Sequence, residues 1–215
     1  MTILALEFSS PQRSVAVARD GNVFSEAVET GGHGTNAFGM IEKVLSEAKI
    51  ERDEIEVIAA GLGPGSYTGI RAAIAIAQGW QLAREIKLLG ISSVEAIAAQ
   101  AQVDKKFGRV SVVIDAQRNE IYLVTFEISE KRCQEIEPLK ISTFAELESQ
   151  KRTNEFFIGP EIQKWIANGR KIFPGAATLA RLAAKRNSFV AGNKLKPIYL
   201  REANFMKMPA QSIVN

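Results

Sequence analysis

The hydrophobic and polar positions of the first hundred residues predict alternating strands and helices. An apolar run at Ile3–Phe8 and an alternating run at Ser14–Arg19 are typical of strands. Asp20-Gly21 is a hairpin turn signal before a third strand, Asn22–Val28. The later predictions are a helix from near Asn36 with Phe38, Ile41, Leu45 and Ala48 on one face, a strand at Val57–Ala60, a helix at Ile70–Arg84, a strand at Lys87–Gly90 and a helix near Val94–Ala101.

The second half of the chain partly repeats this order. The predicted elements are strands at Val110–Asp115, Glu120–Ile128, Gln134–Ile141 and Phe156–Gly159, a helix capped by Ser142 or Thr143 and running through Gln150, a short helix around Ile162–Ala167 and a final helix at Ala176–Lys185. The order β-β-β-α-β-α-β-α is that of a ribonuclease-H-like unit. Two such units in tandem make the actin-like ATPase architecture, with a cleft between them.

We therefore predict an α/β fold of two ribonuclease-H-like units in tandem. The first domain spans residues 1–103, and the smaller, degenerate second domain spans residues 104–215. Asp104-Lys105-Lys106 marks the boundary, and the last helix or tail is placed to pack back on the first domain.

A glycine-rich segment, Gly61-Leu62-Gly63-Pro64-Gly65-Ser66-Tyr67-Thr68-Gly69-Ile70-Arg71, joins a strand to a helix. Glycine permits tight turns and close backbone approach, and free amides at a helix start attract anions. The segment is therefore a phosphate cradle, a backbone platform for a partner, or a tight strand-to-helix turn. It is not a P-loop, because no lysine follows and Pro64 removes an amide. It also follows the fourth strand, whereas the dinucleotide glycine fingerprint follows the first strand of its unit.

The helix after this segment is apolar or small on nearly all sides from Ile70 to Trp80. A surface helix normally keeps one polar face, so we expect burial on more than one side. The sheet of its own domain covers one side. Another subunit covers the other side, or else neighbouring helices of the same chain do.

Composition is that of an ordinary globular protein, with 46% apolar and 24% charged residues among 215. No apolar run approaches the roughly 18 residues typical of a membrane helix. The sequence Met1-Thr2-Ile3 shows no basic region before an apolar stretch, so we expect no signal peptide. A single cysteine, Cys133, excludes an intramolecular disulfide. Together these features predict a cytoplasmic protein without membrane association.

Charge is unevenly distributed along the chain. Residues 151–215 contain 12 Lys/Arg and 3 Asp/Glu, whereas residues 1–150 contain 15 and 21. The final third therefore has a net charge of +9 and the rest −6. A basic region of this kind faces an acidic partner or RNA, or it is simply a solvated, lysine-rich surface.

Two carboxylates end corresponding strands of the two halves. Glu7 ends the first strand and Asp115 ends the first strand of the second half, so the two could face each other across the cleft. An actin-like kinase needs carboxylates to hold Mg²⁺, and Ser9, Ser10 and Arg13 could meet phosphate. The alternative is a pair of polar strand ends with no bound metal.

Other catalytic chemistry has little support in the sequence. The only histidine, His33, lies in a glycine-rich loop, where a surface position is expected, and no HExxH metallopeptidase motif is present. No Cys/His nucleophile arrangement is available, and Cys133 is interpreted as a filler in a strand or turn.

Four ordered motifs resemble those of the TsaB (YeaZ) family. They are Gly63-Pro64-Gly65-Ser66-Tyr67-Thr68-Gly69-Ile70-Arg71, Gly90-Ile91-Ser92-Ser93-Val94-Glu95-Ala96, Asp115-Ala116-Gln117-Arg118-Asn119-Glu120-Ile121-Tyr122 and Pro197-Ile198-Tyr199-Leu200-Arg201. The family counterparts are GPGSFTGLR, GVSSLEAL, DARxxEVY and PxYLR. Motifs in this order over most of the chain are far more specific than a lone glycine loop.

The resemblance implies an actin-like fold whose ATPase site has decayed and a non-catalytic role in making threonylcarbamoyladenosine on tRNA. It implies that the chain holds and activates TsaD, which modifies adenosine-37 of tRNAs reading codons that begin with A, and that the ATPase TsaE joins them. Alone, the chain is expected to form a homodimer. No intrinsic cofactor is implied, although ATP or ADP with Mg²⁺ could bind at the complex interface, and tRNA is reached through the complex.

Residue by residue, the resemblance assigns the glycine segment and the next helix to the partner interface. The implied interface residues are Gly63, Pro64, Gly65, Ser66, Tyr67, Thr68, Gly69, Arg71, Ile74 and Gln78. A vestigial nucleotide site would involve Glu7, Ser9, Ser10 and Asp115.

Several departures from the family pattern leave other functions open. Glu7-Phe8-Ser9-Ser10 replaces the common Asp-Thr-Ser-Thr, and the HxxxH metal pair of TsaD-type proteins is absent. The main alternative is a stand-alone actin-like ATPase or kinase. An M22-type peptidase lacks a ligand cluster, and an RNA-binding role of the basic final third is compatible with the leading hypothesis.

Overall fold

The computed structural model describes residues 1–31, 36–150, 152 and 155–200, which form two five-stranded sheets flanked by helices. The strands are β1 (Thr2–Glu7), β2 (Gln12–Arg19), β3 (Asn22–Thr30), β4 (Val57–Gly61), β5 (Lys87–Ile91), β6 (Gly108–Gln117), β7 (Glu120–Ile128), β8 (Cys133–Thr143), β9 (Phe156–Gly159) and β10 (Arg170–Lys171). The helices are α1 (Ala37–Ala48), α2 (Tyr67–Ala83), α3 (Ser93–Val103), α4 (Phe144–Gln150) and α5 (Ala176–Ala183).

The two sheets have the same topology. The first has the order β3-β2-β1-β4-β5, and the second has the corresponding order β8-β7-β6-β9-β10. In each sheet the first three strands are antiparallel and the last two join in parallel. The tandem ribonuclease-H-like, actin-like fold predicted from element order is therefore confirmed.

Local sequence accounts for the central strand and the first hairpin. All six residues of β1 are buried, as expected for a central strand that is covered on both faces. Asp20 and Gly21 have φ of 52° and 81°, and a two-residue hairpin turn needs such left-handed conformations. The predicted hairpin is confirmed.

Two helices pack against the sheet formed by the other half of the chain. One core of the first sheet lies under α1 and α2, and α5, from the second half, covers the opposite face through Leu179 and Ala180. The amide of Ala176 donates to Ser14 Oγ at 2.8 Å, which satisfies the start of α5. In turn, α3 packs its Ile97 against the second sheet. Each sheet is thus covered partly by a helix from the other half.

Three details differ from the sequence predictions. Phe38 does not belong to the buried face of α1, since it is 67% exposed while Met40, Ile41 and Val44 are buried. The helix predicted around Ile162–Ala167 is only a 3₁₀ turn, Ile162–Lys164. The two-residue strand β10 was not predicted, because so short a segment has no readable periodicity.

Two other predictions concern single residues. Thr143 caps α4, because its hydroxyl accepts from the Glu146 amide and the Glu146 carboxylate accepts from the Thr143 amide. Cys133 begins β8, and burial raises the pKa of its thiol to about 11, which keeps it protonated at neutral pH.

His33 and Arg201 lie outside the described residues. Within the described ranges, no helix is both long and apolar enough to cross a membrane.

Candidate functional site

The glycine segment is a tight turn that brings the start of α2 into close contact with the residues that follow β1. The Ser66 amide donates to the Ser9 carbonyl oxygen at 2.6 Å. A Cβ at Gly65 would overlap that same oxygen, and a Cβ at Gly69 would overlap the Phe8 carbonyl oxygen. Glycine is required here because two backbones meet at close range. This packing favours the tight-turn interpretation over a phosphate cradle.

The buried carboxyl group of Glu7 holds the glycine turn in place through hydrogen bonds. Glu7 is fully buried, and its Oε1 accepts from the Ser9 amide at 2.7 Å. The Ser93 hydroxyl donates to Glu7 Oε2 at 2.9 Å and accepts from the Gly63 amide at 3.2 Å. Burial raises the pKa of the Glu7 carboxyl, and the bonds from Ser9 and Ser93 oppose that shift. Glu7 therefore joins β1, the glycine turn and α3.

A cleft of about 710 Å³ lies between the two sheets. Its polar lining comes from both halves of the chain and includes Ser9, Ser10, Arg13, Ser66, Asp115, Gln117, Glu161 and Lys164. Three tyrosines, Tyr67, Tyr122 and Tyr199, also border it. Of the four residues assigned to a vestigial nucleotide site, Ser9, Ser10 and Asp115 line this cleft and Glu7 does not.

Two carboxyl groups stand on the second-half wall of the cleft. Asp115 Oδ2 pairs with Lys164 Nζ at 3.0 Å, and its Oδ1 accepts from the Gln117 amide at 2.7 Å. Burial raises the pKa of the nearby Glu161 carboxyl, while a hydrogen bond from the Asp115 backbone and the charge of Lys164 oppose that rise. Glu161 Oε2 is buried and has no hydrogen-bond donor among the described residues. Residues Glu161 and Lys164 carry no sequence motif that would have identified them beforehand.

Two motifs that are far apart in sequence meet at the mouth of the cleft. The rings of Tyr67 and Tyr199 are stacked with centroids 5.5 Å apart. The Arg71 guanidinium lies 4.1 Å from the Tyr67 ring centroid, and its Nε donates to the Tyr199 hydroxyl at 3.2 Å. The segment that carries Tyr199 also reaches α2 at Gln78, whose side chain donates to the Gly192 carbonyl oxygen at 2.8 Å. Residues 192–199 therefore form a strap across α2.

The side of α2 that faces away from the sheet is exposed. Ala73 and Ala77 lie in the core, whereas Ala75, Gly79 and Leu82 are exposed, Leu82 to 90%. A groove of about 390 Å³ separates α2 from α1. Its walls include Phe38, Gly79, Trp80 and Ala83, and ion pairs Arg52–Glu42 and Arg84–Asp53 stand beside it. We call Phe38, Ala75, Gly79, Trp80, Leu82 and Ala83 the outer face.

The ten residues assigned to the partner interface do not share one environment. Gly63, Pro64, Gly69 and Ile74 are buried, Gly65, Ser66 and Gln78 are intermediate, and Tyr67, Thr68 and Arg71 are exposed. The exposed residues of this group lie at the start of α2, on the same helix as the outer face. Their part in an interface stays a prediction.

Sequence reasoning identified α2 but missed most of the outer face. A signal was present at Gly79, since a glycine inside a helix costs about 1 kcal/mol relative to alanine unless something requires it. Another signal was present at Phe38, because Ala37, Met40, Ile41 and Val44 already make a complete apolar stripe on α1.

Comparison with known proteins gives concordant results. The family model described as TsaD, tRNA N6-adenosine threonylcarbamoyltransferase, matches residues 22–211. The chain is 26% identical to the Escherichia coli tRNA threonylcarbamoyladenosine biosynthesis protein TsaB, over 98% of this chain and 100% of that protein. It is 24% identical to the Bacillus subtilis protein of the same name, over 94% and 95% of the two chains. The solved structure of YeaZ from Pseudomonas aeruginosa superimposes with a TM-score of 0.80, at 24% identity and over 93% and 99% of the two chains.

Proposed function

Because this chain belongs to the TsaD-type family and to its TsaB (YeaZ) group, we propose that it is a non-catalytic subunit for threonylcarbamoyladenosine synthesis on tRNA. Its task is to bind a TsaD protein of the same organism and hold it in an active conformation. TsaD carries out the transfer to adenosine-37 of tRNAs that read codons beginning with A. The E. coli and B. subtilis relatives are named for this biosynthesis, which supports the proposal.

The observation that carries the proposal is the outer face of α2. A Cβ built at Gly79 meets no atom within 4 Å, so nothing inside the described chain requires glycine at this position. The helix nevertheless accepts the cost of a glycine beside an exposed Leu82 and an exposed Phe38. Small residues allow another helix to approach closely, and exposed apolar side chains around them gain free energy when a partner covers them.

The groove between α1 and α2 gives the partner surface a shape and a polarity. Phe38 and Trp80 provide its apolar wall, and the ion pairs Arg52–Glu42 and Arg84–Asp53 form a charged margin. An apolar centre with a polar rim is the usual anatomy of a protein interface. A second copy of this chain could cover the same surface, so we propose that the homodimer and the TsaD complex are mutually exclusive.

The remaining components of the complex follow from this assignment. The sequence contains a single histidine and no HxxxH pair, so the metal-dependent transfer step is assigned to TsaD. TsaE joins as the ATPase, and ATP or ADP with Mg²⁺ binds where the subunits meet. The basic final third of the chain would contact tRNA within the complex.

Co-purification tests whether this chain binds TsaD. The Leu82→Asp variant tests whether the outer face of α2 mediates that binding. This substitution places a charge at a position that is 90% exposed, so the isolated chain should fold normally while TsaD binding falls by at least about a hundredfold. Val103→Asp is the matched control, because Val103 is 65% exposed at the end of α3, outside the outer face. In vitro tRNA modification should require this chain. The wild-type chain and the Val103→Asp variant should support it equally.

Two outcomes would contradict the proposal. If the wild-type chain stays separate from TsaD and modification proceeds without it, the resemblance is one of fold, and ATP turnover by the isolated chain becomes the leading alternative. If TsaD binds Leu82→Asp as tightly as wild type, the partner surface lies elsewhere. Charge reversal at Arg71 is a less specific test, since Arg71 also holds Tyr199 within the chain.

A further inference from the structure

The second half of the chain contains a long run of residues without a single acid. Residues 162–201 include nine Lys or Arg and no Asp or Glu. On the basis of the function proposed above, we infer that the cations of this run that lie beside β5 contact the phosphate backbone of tRNA. The other cations of the run would not take part in that contact.

Ion pairs with acids from other parts of the chain hold three of these cations. The pairs are Lys164–Asp115 at 3.0 Å, Arg170–Asp104 at 3.4 Å and Arg186–Glu95. An acidic side chain at such a distance offsets much of the attraction that a cation exerts on a phosphate group. These three cations are therefore poor candidates for binding a nucleic acid.

Four further cations of the run are exposed, and no acidic side chain of the described ranges forms an ion pair with them. Two lie on α5 or just after it, and two follow residue 192. At the start of β5, Lys87 is likewise exposed and has no ion-pair partner among the described residues. We call these five residues the basic edge: Lys87, Arg181, Lys185, Lys194 and Lys196.

Contacts along β5 bring the separate parts of the basic edge together. The Lys87 ammonium lies 5.1 Å from the centroid of the Phe189 ring. The Val190 amide donates to the Leu88 carbonyl oxygen at 2.9 Å. Residues 189 and 190 are thus fixed against the first two residues of β5.

The length of chain on either side of this contact limits how far the cations can spread. Lys185 is four residues before Phe189, and Lys194 is four residues after Val190. Four residues span at most about 14 Å, so the Cα atoms of both lysines lie within that distance of the contact with β5. The remaining two members of the second half lie within four residues of these lysines.

Protection of a sheet edge does not by itself account for these cations. Lysine on an exposed edge strand often prevents pairing with another chain. Here the Val190 amide already bonds to the β5 edge, and the Gly192 amide donates to Gln81 Oε1 on α2 at 2.7 Å. Four of the five cations lie outside the edge strand, on α5 or on the segment that covers β5.

The surroundings of the basic edge favour a nucleic acid over a protein or a membrane. Phe189 and Val190 are partly buried against the cores of the first sheet, and Leu195 is only 3% exposed. A protein interface normally has an apolar centre, and a membrane-bound surface inserts exposed apolar side chains. Lysine contacts a phosphate group as a point charge. Cations without an exposed apolar centre are therefore best matched by a phosphate backbone.

The basic edge adjoins the proposed partner surface. A groove of about 610 Å³ is lined by residues 81–87, so it includes both Leu82 of the outer face and Lys87. A TsaD molecule bound over Leu82 would leave Lys87 at the margin of the interface. A tRNA held by TsaD would then reach the basic edge without crossing the interface.

Filter binding of an unmodified tRNA transcript to the isolated full-length chain, repeated from about 50 to 200 mM salt, tests the inference. The variant combines Lys185→Gln, Lys194→Gln and Lys196→Gln, all at exposed positions where substitution has little effect on folding. We expect its tRNA affinity to be at least about tenfold weaker than that of wild type. The slope of log affinity against log salt should fall in magnitude by about 2 to 3, since each lost phosphate contact removes about 0.7 to 0.9.

A second triple variant matches this change in charge. It combines Lys131→Gln, Lys140→Gln and Lys171→Gln, which are exposed lysines on or beside the second sheet. It should bind tRNA nearly as tightly as wild type. Both variants should bind TsaD with unchanged affinity in titration calorimetry, because neither changes the outer face. Circular dichroism verifies that both are folded.

Four results would overturn the inference. Two are an absence of tRNA binding by wild type at about 50 mM salt and equal losses in the two triple variants. The third is competition by polyglutamate as effective as competition by tRNA, which would indicate an acidic protein. The fourth is weaker TsaD binding by the basic-edge variant, which would place these lysines in the partner surface. If wild type fails to bind TsaD, the proposed function fails, whereas the tRNA titrations of the isolated chain still report on the basic edge.

Discussion

The glycine turn and the outer face of α2 are adjacent, yet their glycines have opposite explanations. At Gly65 and Gly69 a side-chain carbon would overlap backbone oxygens of Ser9 and Phe8. At Gly79, ten residues beyond Gly69 on the same helix, it would meet no atom of the described residues within 4 Å. The turn is therefore shaped by contacts inside the chain, whereas we propose that the outer face is shaped by a contact with a partner. Glycine content alone could not separate these two cases.

The largest effect is expected from Gly69→Ala. The added methyl group would overlap the Phe8 carbonyl oxygen, which is backbone and cannot rotate away. We expect the free energy of unfolding to fall by about 3 kcal/mol, the upper range for overpacking a core. Urea denaturation of the isolated chain measures this, and an unchanged midpoint would show that the turn is less tightly packed than described.

Ser93→Ala should have the next largest effect. It leaves Glu7 Oε2 without its donor and the Gly63 amide without its acceptor, so we expect a loss of about 2 kcal/mol in the free energy of unfolding. Ser92→Ala is the matched control, since Ser92 is a neighbouring serine whose hydroxyl donates only a long bond of 3.3 Å to the Gly63 carbonyl oxygen. Equal losses in the two variants would contradict the role given to Glu7.

The raised pKa of Glu7 makes a prediction about pH. The folded chain holds this proton more tightly than the unfolded chain, so the stabilising contribution is complete below the unfolded pKa. It is lost as pH rises through the folded pKa. The free energy of unfolding of wild type should thus fall relative to Glu7→Gln as pH increases above the ordinary glutamate range. Parallel stability curves for the two proteins would refute this.

Tyr199→Ala should have a smaller effect, about 1 kcal/mol, because a stacked ring pair contributes about 0.5–1.5 kcal/mol beyond burial. The loss removes the contact with Tyr67 and the acceptor for Arg71. Thermal unfolding is the measurement, with Phe24→Ala as the control, since Phe24 is an exposed aromatic residue on β3. An unchanged unfolding temperature would mean that Tyr199 does not hold the strap against α2.

Much of the fold could be predicted from the sequence because its signals are local. Apolar runs at β1 and β4, the Asp20-Gly21 turn and the polar cap of α4 each identify an element from a few neighbouring residues. The order of those elements then suggested two equivalent sheets. The strand β10 escaped prediction because two residues have no period, and Phe38 was placed wrongly because two overlapping apolar stripes run along α1.

The candidate sites were harder to predict because they depend on contacts across the chain. Tyr67 and Tyr199 belong to motifs that were both recognised, but nothing in either motif indicates that their rings stack. The carboxyl of Glu7 was grouped with Asp115 from strand position alone, whereas the fold buries it under the glycine turn. Glu161 and Lys164 enter the cleft only through the path of the chain after β9.

The most direct test of whether the outer face of α2 binds the partner is the affinity of TsaD for the Gly79→Gln variant. Titration calorimetry measures it beside the wild-type chain. Glutamine is a good helix former and its Cβ meets no atom of the described chain within 4 Å at this position, so the variant should be at least as stable as wild type. We predict that TsaD binding weakens by at least about a hundredfold, or roughly 2.7 kcal/mol. Unchanged affinity in a folded variant would contradict the claim that the outer face of α2 is the partner surface.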